Sequence, residues 1–484
     1  MVFLLRSALH QRHPVAGRGD RRHLAALADM TPGAFWLDGS RRPEPASTLT
    51  SATTADLLVV GGGYTGLWAA LQAKERDPAA DVVLVEAREC GWAASGRNGG
   101  FCVSSLTHGL SNGYQRFPHE LAVLERIGME NLDGIEKTIR THGIDCDFER
   151  TGELEVAVDD WQLRDLRQAA LVADRFGHTA QLLDADQVRA EVNSPTYLGA
   201  LWMRDSVALV DPARLAWGLR EVCLRNGIRI YERTPVNSLT DARRGVLART
   251  SYGSVRAGRV LLATNGFPPL LRRLRNYVMP VYDHVLATEP LTDRQLESIG
   301  WHNRQGISDA GNQFHYYRLT ADNRIIWGGY DAIYHYGGAV RDELDVRPET
   351  FAKLADHFFT TFPQLEGVRF SHGWGGVIDT CTRFCPFVGT AKGGRIGYAL
   401  GYTGLGVAAT RFASQIALDL MDGRTSEATA LDFVRTRPMP LPPEPLRWAG
   451  IQLTRWSLRR ADRNGGHRNL WLRTLDALGL GFDT

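Results

Sequence analysis

A glycine-rich turn that directly follows an apolar run constrains the fold of this chain more than any other feature. Gly61, Gly63 and Gly66 fit the spacing G-x-G-x-x-G immediately after four apolar residues. The residues up to Arg76 have helical composition, and a second apolar run ends at Glu86. A buried strand, a tight turn, a helix and a second strand in this order predict a parallel β-α-β unit.

Each part of this unit suits the binding of a dinucleotide. Gly61 permits the turn, Gly63 lets the backbone approach a pyrophosphate, and Gly66 lets the helix pack closely on the strand. The helix N-terminus offers free N–H groups and the positive end of its dipole to phosphates. Glu86, 20 residues after Gly66, can accept hydrogen bonds from a ribose diol. The sequence therefore predicts a dinucleotide site, against the alternative of a glycine-rich turn without a ligand.

Two further segments favour FAD over NAD. Residues 91–101 are rich in small side chains, so that backbone amides can reach a flat ring system. Residues 397–406 are again rich in glycine and precede a predicted helix at 407–422, whose N-terminus could face the carbonyl groups of a flavin. The chain has one dinucleotide fingerprint rather than two. This favours direct reduction of the flavin by an organic substrate over reduction by NAD(P)H.

An ordered set of motifs extends this pattern along the chain. The motifs are Ala55–Leu67, Gly91–Gly100, Leu209–Leu215, Thr234–Val236, Ala263–Gly266, Thr288–Leu291, Tyr316–Arg324, Trp374–Gly376 and Gly401–Gly406. Together they resemble the D-amino-acid-oxidase-like family of FAD-dependent oxidoreductases, and within it the γ-glutamylputrescine-oxidase-like branch. The resemblance spans about residues 33–435. It implies an α/β fold, with a Rossmann-like FAD-binding domain interleaved with a substrate domain built on a mixed β-sheet.

The resemblance also implies domain boundaries. The FAD-binding domain is expected at 33–115, 205–275 and 372–432, and the substrate domain at 116–204 and 276–371. Residues 1–32 are expected to form a flexible N-terminal arm. Residues 433–484 comprise a proline linker and a C-terminal tail with three tryptophans among many arginines. We expect the tail to fold back on the body, and a partner-binding or membrane-surface helix is the alternative.

The motifs and the resemblance together imply a set of FAD-binding residues. They are Gly61, Gly63, Tyr64, Thr65, Gly66, Glu86, Ala87, Arg88, Ser95, Gly96, Arg97, Asn98, Gly99, Gly100, Val236, Ala263, Thr264, Gly266, Gly401, Tyr402, Thr403, Gly404, Leu405 and Gly406. We expect non-covalent FAD. Covalent attachment at Cys381 or Cys385 is the alternative, because some relatives bond the flavin to a cysteine in this part of the chain.

The reaction implied by the resemblance is oxidation of a C–N bond in a primary or secondary amine. Hydride passes to flavin N5, the imine is hydrolysed, and the electrons pass to O2, giving H2O2, or to another acceptor. Because the protein must mainly position and desolvate a neutral amine, we expect an aromatic pocket that is poor in free carboxylates. His284 and Tyr317 are the predicted catalytic or substrate-contacting residues, and Tyr316 is predicted to line the pocket.

One departure from the family pattern bears on the substrate. Relatives that oxidise free α-amino acids carry a carboxylate-binding arginine two residues after a W-x-G stretch. Here Trp374, a predicted pocket residue, begins that stretch, and Ile378 stands in place of the arginine. Asp379 follows, and it either attracts a cationic amine or caps the backbone. The departure favours amines over simple α-amino acids.

Composition excludes several other classes of protein. Lys+Arg 56 against Asp+Glu 54 leaves no broad basic field for a nucleic acid. No run approaches the roughly 18 apolar residues of a membrane span. The six cysteines are dispersed, which predicts a reduced, cytoplasmic protein, and their spacing predicts no metal site. A flavin-dependent hydroxylase and a flavin-binding protein without catalysis remain the alternative functions.

Overall fold

The structure is a computed structural model that describes residues 23–243 and 245–481. The strands are β1 Thr31–Pro32, β2 Ala52–Val60, β3 Val82–Val85, β4 Phe101–Val103, β5 Glu153–Ala157, β6 Ala180–Asp184, β7 Gly199–Met203, β8 Val207–Leu209, β9 Arg229–Tyr231, β10 Val236–Ala242, β11 Gly245–Thr250, β12 Ser254–Leu262, β13 Met279–Thr288, β14 Gly306–Asp309, β15 His315–Leu319, β16 Ile325–Gly329, β17 Phe370–Thr380, β18 Phe387–Ala391 and β19 Ile396–Leu400.

The α-helices lie between these strands and after them. They are α1 Tyr64–Arg76, α2 Leu110–Arg116, α3 Leu121–His142, α4 Asp160–Arg175, α5 Ala185–Glu191, α6 Pro212–Arg225, α7 Asp293–Ile299, α8 Pro348–Thr361, α9 Gly406–Asp422, α10 Glu427–Ala430, α11 Asp432–Arg435, α12 Leu446–Asp462 and α13 Leu470–Ala477. Among the described residues, no helix is both long and apolar enough to cross a lipid bilayer.

The first large sheet contains the predicted β-α-β unit. Its order is β10-β11-β12-β2-β3-β9, and β19 joins the second half of β12 and pairs with β18. β19, β12, β2, β3 and β9 run parallel. The last four residues of β2 are buried, and they pack alternately into two hydrophobic clusters. Coverage on both faces explains why this segment is a continuous apolar run.

The second large sheet has the order β1-β17-β13-β16-β15-β14-β5-β7-β6 and is mixed, because β14 runs parallel to β5 and β1 runs parallel to β17. Aromatic side chains of α8 and β16 fill its core, with Phe358 packed edge-on against Trp327. The mixed α/β fold predicted from the sequence is confirmed. β17 begins near the predicted start of the third FAD-binding segment, but it pairs with β13 in this second sheet.

Residues 23–32, the part of the predicted N-terminal arm that the structure describes, pack on the body instead of extending from it. Residues 1–22 lie outside the described residues. From His23 onwards the chain packs on the body, because Ala26 is buried and the His23 ring stacks on Phe359 at 4.7 Å. Thr31 and Pro32 then pair with β17. Residues 23–32 are therefore attached to the second sheet, with Ala26 as their buried residue.

Candidate active site

A cavity of about 1270 Å³ lies between the two large sheets. The ends of β2, β3 and β12 and the N-termini of α1 and α9 line it on one side. Residues of β5, β13, β14 and β15 line it from the second sheet. Ligands of open parallel sheets bind outside the carboxyl ends of the strands, so the cavity lies where the β-α-β unit predicts it.

The glycine turn of the first sheet is too closely packed for side chains. Gly61 has φ +113°, and a Cβ there would lie 2.3 Å from the carbonyl oxygen of Ala263. A Cβ at Gly66 would lie 1.9 Å from the carbonyl oxygen of Gly61. The turn therefore brings the start of α1 against the ends of β2 and β12, because glycine alone fits at both positions.

The N-terminus of α1 is open towards the cavity. Its N-cap residue is Gly63, which has no side chain with which to cap the helix. The Tyr64 N–H donates to Ser95 Oγ at 2.9 Å. Ser95 comes from the small-residue segment and lines the same cavity. A helix N-terminus whose N-cap residue is glycine, with a hydroxyl group beside it, suits a phosphate group.

Glu86 lies at the end of β3 and lines the cavity. Its carboxyl group accepts hydrogen bonds from the Gly62 N–H at 2.6 Å, the Arg88 N–H at 2.9 Å and Trp92 Nε1 at 2.8 Å. Burial raises the pKa of this carboxyl, and these three bonds oppose the rise. The acid is thus held in one orientation at the edge of the predicted nucleotide site.

A second helix N-terminus meets the first. The segment 402–406 before and at the start of α9 lines the cavity. Thr65 Oγ1 of α1 donates to the Tyr402 hydroxyl at 2.9 Å. The Asp379 carboxyl accepts from the Gly401 N–H at 2.6 Å and from the Tyr402 N–H at 3.2 Å, and burial raises its pKa to about 7. Asp379 therefore caps the backbone, and it also borders the cavity.

Most of the predicted FAD-binding residues line this one cavity. Those that do are Gly61, Gly63, Tyr64, Thr65, Glu86, Ala87, Arg88, Ser95, Arg97, Asn98, Gly99, Val236, Ala263, Thr264, Tyr402, Thr403, Gly404, Leu405 and Gly406. Those outside its lining are Gly66, Gly96, Gly100, Gly266 and Gly401. A Cβ at Gly66, Gly96 or Gly100 would instead meet backbone within 2.3 Å, so these three glycines permit close packing behind the wall.

The substrate-side wall differs from the pocket expected from the sequence, because it is rich in carboxylates. Glu153 and Glu155 of β5, Asp283 of β13 and Asp309 of β14 all line the cavity. Burial, with neighbouring carboxylates including Glu153 and Asp309, raises the pKa of Glu155 to about 7. Burial likewise raises the pKa of Asp283 to about 6. We call these four residues the acidic wall.

Partners within the second sheet hold Glu153, Asp283 and Asp309 of the acidic wall. Tyr316 lines the cavity and donates its hydroxyl to Asp283 Oδ2 at 2.6 Å. Glu153 Oε1 accepts from Ser308 Oγ at 2.7 Å, and Asp309 Oδ2 lies 2.6 Å from His315 Nδ1. The family motifs did not predict this wall, although the sequence carries a signal for it. Glu153-Leu154-Glu155-Val156 alternates acidic and apolar residues, as a strand with one acidic face does.

The structure places three predicted site residues outside the cavity. His284 is fully buried against Phe351, and burial lowers its pKa to about 4. Tyr317 lies in the core of the second sheet, with its hydroxyl 2.6 Å from that of Tyr197. Trp374 is buried and donates Nε1 to the Arg97 carbonyl at 2.8 Å.

Strand alternation explains two of these placements. Successive side chains of a strand point to opposite faces. On β13, Asp283 therefore faces the cavity, and the neighbouring His284 points into the core. On β15, Tyr316 faces the cavity, and Tyr317 points into the core. His284 and Tyr317 thus each lie one position from a residue that lines the cavity, and one of those two, Tyr316, is itself a predicted pocket residue.

The two cysteines considered for flavin attachment are both buried. Cys381 borders the cavity, donates its thiol to the Cys385 carbonyl at 3.2 Å and has a pKa raised to about 12 by burial. Cys385 does not line the cavity, and burial raises its pKa too. Both thiols stay protonated near neutral pH, which disfavours them as nucleophiles. All six cysteines of the chain are free and buried. Among the described residues, no group of three or more His, Cys, Asp or Glu side chains is arranged to hold a metal ion.

This combination of sheet, glycine turn and interdomain cavity is that of an FAD-dependent oxidoreductase. Residues 56–420 match the family model described as DAO, FAD dependent oxidoreductase, and the chain belongs to this family. FAD is accordingly its cofactor. The residues present fit that group, since the glycine turn leaves a cradle that a Cβ would fill. In addition, the buried Asn265 Oδ1, on the cavity wall, has no hydrogen-bond partner.

Individual relatives place the chain more closely within the family. It is 34% identical over 420 residues to gamma-glutamylputrescine oxidoreductase of Escherichia coli strain K12, covering 84% of this chain and 93% of that protein. Among solved structures, glycine oxidase from Geobacillus kaustophilus is similar with a TM-score of 0.67 at 18% identity, covering 80% of this chain and 99% of that one. L-proline dehydrogenase from P. horikoshii has a TM-score of 0.63 at 18% identity, covering 79% and 96%. The two structures show the shared fold.

The packing of Gly66 predicts that a single methyl group disrupts FAD binding. In Gly66→Ala the added Cβ meets the Gly61 carbonyl, so α1 must move away from the turn. Overpacking of this kind costs about 1–3 kcal/mol, and we expect FAD affinity to fall by about tenfold or more. Flavin absorbance per polypeptide after dialysis measures the loss. Gly39→Ala is the control, because a Cβ there meets no atom within 4 Å. Full flavin retention by Gly66→Ala would contradict the packing argument.

The protonated state of the two thiols predicts non-covalent FAD. After acid precipitation we expect the yellow colour in the supernatant and a colourless pellet. Cys381→Ser and Cys385→Ser should bind as much FAD as the unchanged protein, as measured by flavin absorbance. A yellow pellet that turns colourless in either variant would instead identify that cysteine as the attachment point.

Proposed function

We propose that this protein oxidises a C–N bond of a primary or secondary amine with FAD. The acidic wall is the observation that carries the proposal, because buried carboxylates on the substrate side suit a cationic substrate. Ile378 also lines the cavity at the position where an arginine would bind an α-carboxylate. The name of the Escherichia coli relative, gamma-glutamylputrescine oxidoreductase, supports an amine rather than a simple α-amino acid.

The acidic wall performs two tasks in the proposed reaction. Bound FAD supplies the two-electron acceptor for the carbon next to the amine nitrogen. Asp283, oriented by the Tyr316 hydroxyl, attracts the ammonium form of the substrate when its carboxyl is ionised. Because burial raises the pKa values of Asp283 and Glu155, their carboxylates are better proton acceptors than exposed ones. The wall therefore captures the cation and accepts its proton, leaving the nitrogen lone pair free.

The first test is anaerobic titration of the yellow protein with primary and secondary amines. We expect amines, including N-acylated diamines such as γ-glutamylputrescine, to bleach the flavin, while glycine and alanine bleach it at least about tenfold less effectively. NADPH alone should leave the spectrum unchanged. Rapid bleaching by NADPH would indicate a hydroxylase, and failure of all amines with stoichiometric FAD would indicate a flavin-binding protein without catalysis. Re-admission of air with measurement of H2O2 then distinguishes O2 from another electron acceptor.

The raised pKa of Asp283 predicts a pH dependence for amine binding. Below about pH 6 its carboxyl is protonated, and above that pH it is ionised and attracts the cation. We therefore expect amine affinity, measured by anaerobic flavin reduction, to rise as pH increases through about 6. In Asp283→Asn this rise in affinity near pH 6 should disappear, and the amine Kd at pH 8 should rise by about tenfold. The further rise in amine affinity near pH 7, which comes from ionisation of Glu155, should remain.

The control for this variant is Asp174→Asn, on the exposed surface of α4. It should keep the complete pH profile. An unchanged rise in affinity near pH 6 in Asp283→Asn would exclude Asp283 from amine capture. It would leave the oxidation of amines itself to be judged by the first titration.

A further inference from the structure

The C-terminal segment beyond the family match lies over the cavity. The match ends at residue 420, whereas α12 and α13 follow at 446–477. We call these two helices the C-terminal hairpin. Residues of both helices, and of the proline segment 439–442 before them, line the cavity. The predicted tail thus folds back on the body, and it does so where a substrate would enter or rest.

Specific polar contacts hold the hairpin on the second sheet. The Asp462 carboxyl accepts from the Asn312 N–H at 3.0 Å, from Asn312 Nδ2 at 2.7 Å and from the Gln313 N–H at 3.2 Å. Arg459 Nε donates to Gln313 Oε1 at 3.0 Å. These bonds join one end of α12 to the β14–β15 connection, so the orientation of the helix is defined.

One face of α12 points into the cavity. Its lining residues recur at helical spacing and include Arg447, Gly450, Ile451, Thr454, Arg455 and Leu458. Trp471 of α13 lines the cavity beside them and donates Nε1 to Thr454 Oγ1 at 2.9 Å. Aromatic and aliphatic side chains with a few polar groups are typical of the wall of a small-molecule site.

Arg455 is a charged group on this face with unused hydrogen-bonding capacity. Its Nε is buried and has no partner. Its Nη1 donates to Gln452 Oε1 at 3.3 Å, and its Nη2 lies 3.7 Å from Asp331 Oδ1. Burial lowers the pKa of this guanidinium, and the neighbouring Arg459 adds to the effect. A guanidinium with an unpaired Nε can still bind a carboxylate through its planar fork.

The charge balance around Arg455 favours an additional anion. Asp331 is the nearby carboxylate, and it already receives Lys353 Nζ and Arg459 Nη2, the latter at 2.9 Å. Three cationic side chains thus surround one carboxylate. Two of these cations, Arg455 and Arg459, lie on the hairpin, whereas the acidic wall supplies negative charge from the second sheet.

We propose that Arg455 on the C-terminal hairpin binds an anionic group, a carboxylate, at the end of the substrate remote from the reacting C–N bond. This inference rests on the proposed amine oxidation and specifies its substrate class as amines that carry a carboxylate elsewhere in the molecule. The acidic wall receives the amine, and Arg455 receives the carboxylate. The hairpin therefore determines specificity as well as covering the cavity.

The experiment measures binding without turnover. Calorimetric titration of the FAD-loaded, full-length protein compares hexanoate with hexanamide, which has the same shape and no charge. One charge-assisted hydrogen bond is worth about 1.5–3 kcal/mol, so we expect hexanoate to bind about 10- to 100-fold more tightly. In Arg455→Met the ratio should fall to about one, and in Arg455→Lys it should take an intermediate value. If Arg455→Met loses its flavin, Arg455→Gln replaces it.

The matched control is Arg460→Met, because Arg460 lies on the same helix, is exposed and packs on the Trp456 ring. It should retain the full preference for hexanoate. Equal binding of the two ligands by the unchanged protein, or a preference that survives in Arg455→Met, would overturn the proposal. A parallel anaerobic titration with glutaryl-putrescine and pentanoyl-putrescine keeps the two hypotheses distinct. If neither amine bleaches the flavin while the hexanoate preference holds, amine oxidation fails and the anion site stands.

Discussion

The contact between the N-termini of α1 and α9 is the constraint on which the rest of the site depends. Thr65 Oγ1 at the start of α1 donates to the Tyr402 hydroxyl just before α9, and Ser414 Oγ of α9 donates to the Thr65 carbonyl at 2.7 Å. The position of α1 in turn requires the absence of a side chain at Gly66, because a Cβ there would meet the Gly61 carbonyl of the turn after β2. Two positive dipole ends are thereby directed at one cavity. Their mutual repulsion is offset by buried hydrogen bonds and by the negative charge of a bound dinucleotide.

The charge on the substrate side of the cavity is opposite in sign, because carboxyl groups rather than helix N-termini face it. Ionising a buried carboxyl group costs free energy, because its charged form loses contact with water. Burial accordingly raises the pKa values of Asp283 and Glu155 into the range of about 6 to 7. In the proposed amine oxidation, a cationic amine would supply the missing counter-charge, so its binding and the ionisation of these carboxyl groups would favour each other. Transfer of its proton would then remove both charges at once. A wall of ordinary, fully ionised surface carboxylates would hold the ammonium ion but would be a much weaker base.

A larger share of the predicted FAD-binding residues than of the predicted substrate residues lines the cavity, for a physical reason. Backbone geometry limits the glycine turn to one residue type, and parallel strands must be apolar. Thus the helix after the glycine turn, the strand before Glu86 and the helix predicted at 407–422 could be recognised from local pattern. The substrate half is set by which face of each strand meets the cavity. A shift of one residue exchanges Asp283 for His284, and no local signal fixes that choice.

The C-terminal hairpin is another part of the cavity wall that no sequence motif predicted. Its tryptophans and arginines gave no periodic pattern specific to a site, because half of each helix faces solvent, as the exposed Trp448 and Trp456 show. The hairpin and the proline segment before it are both fixed to the body, since Thr382 Oγ1 donates to the Met439 carbonyl at 2.7 Å and Asp462 binds the β14–β15 connection. Covering the cavity limits access of water to it, and a lower local dielectric strengthens every charge interaction inside. A single added segment can therefore alter both which substrates enter and how strongly the acidic wall holds them.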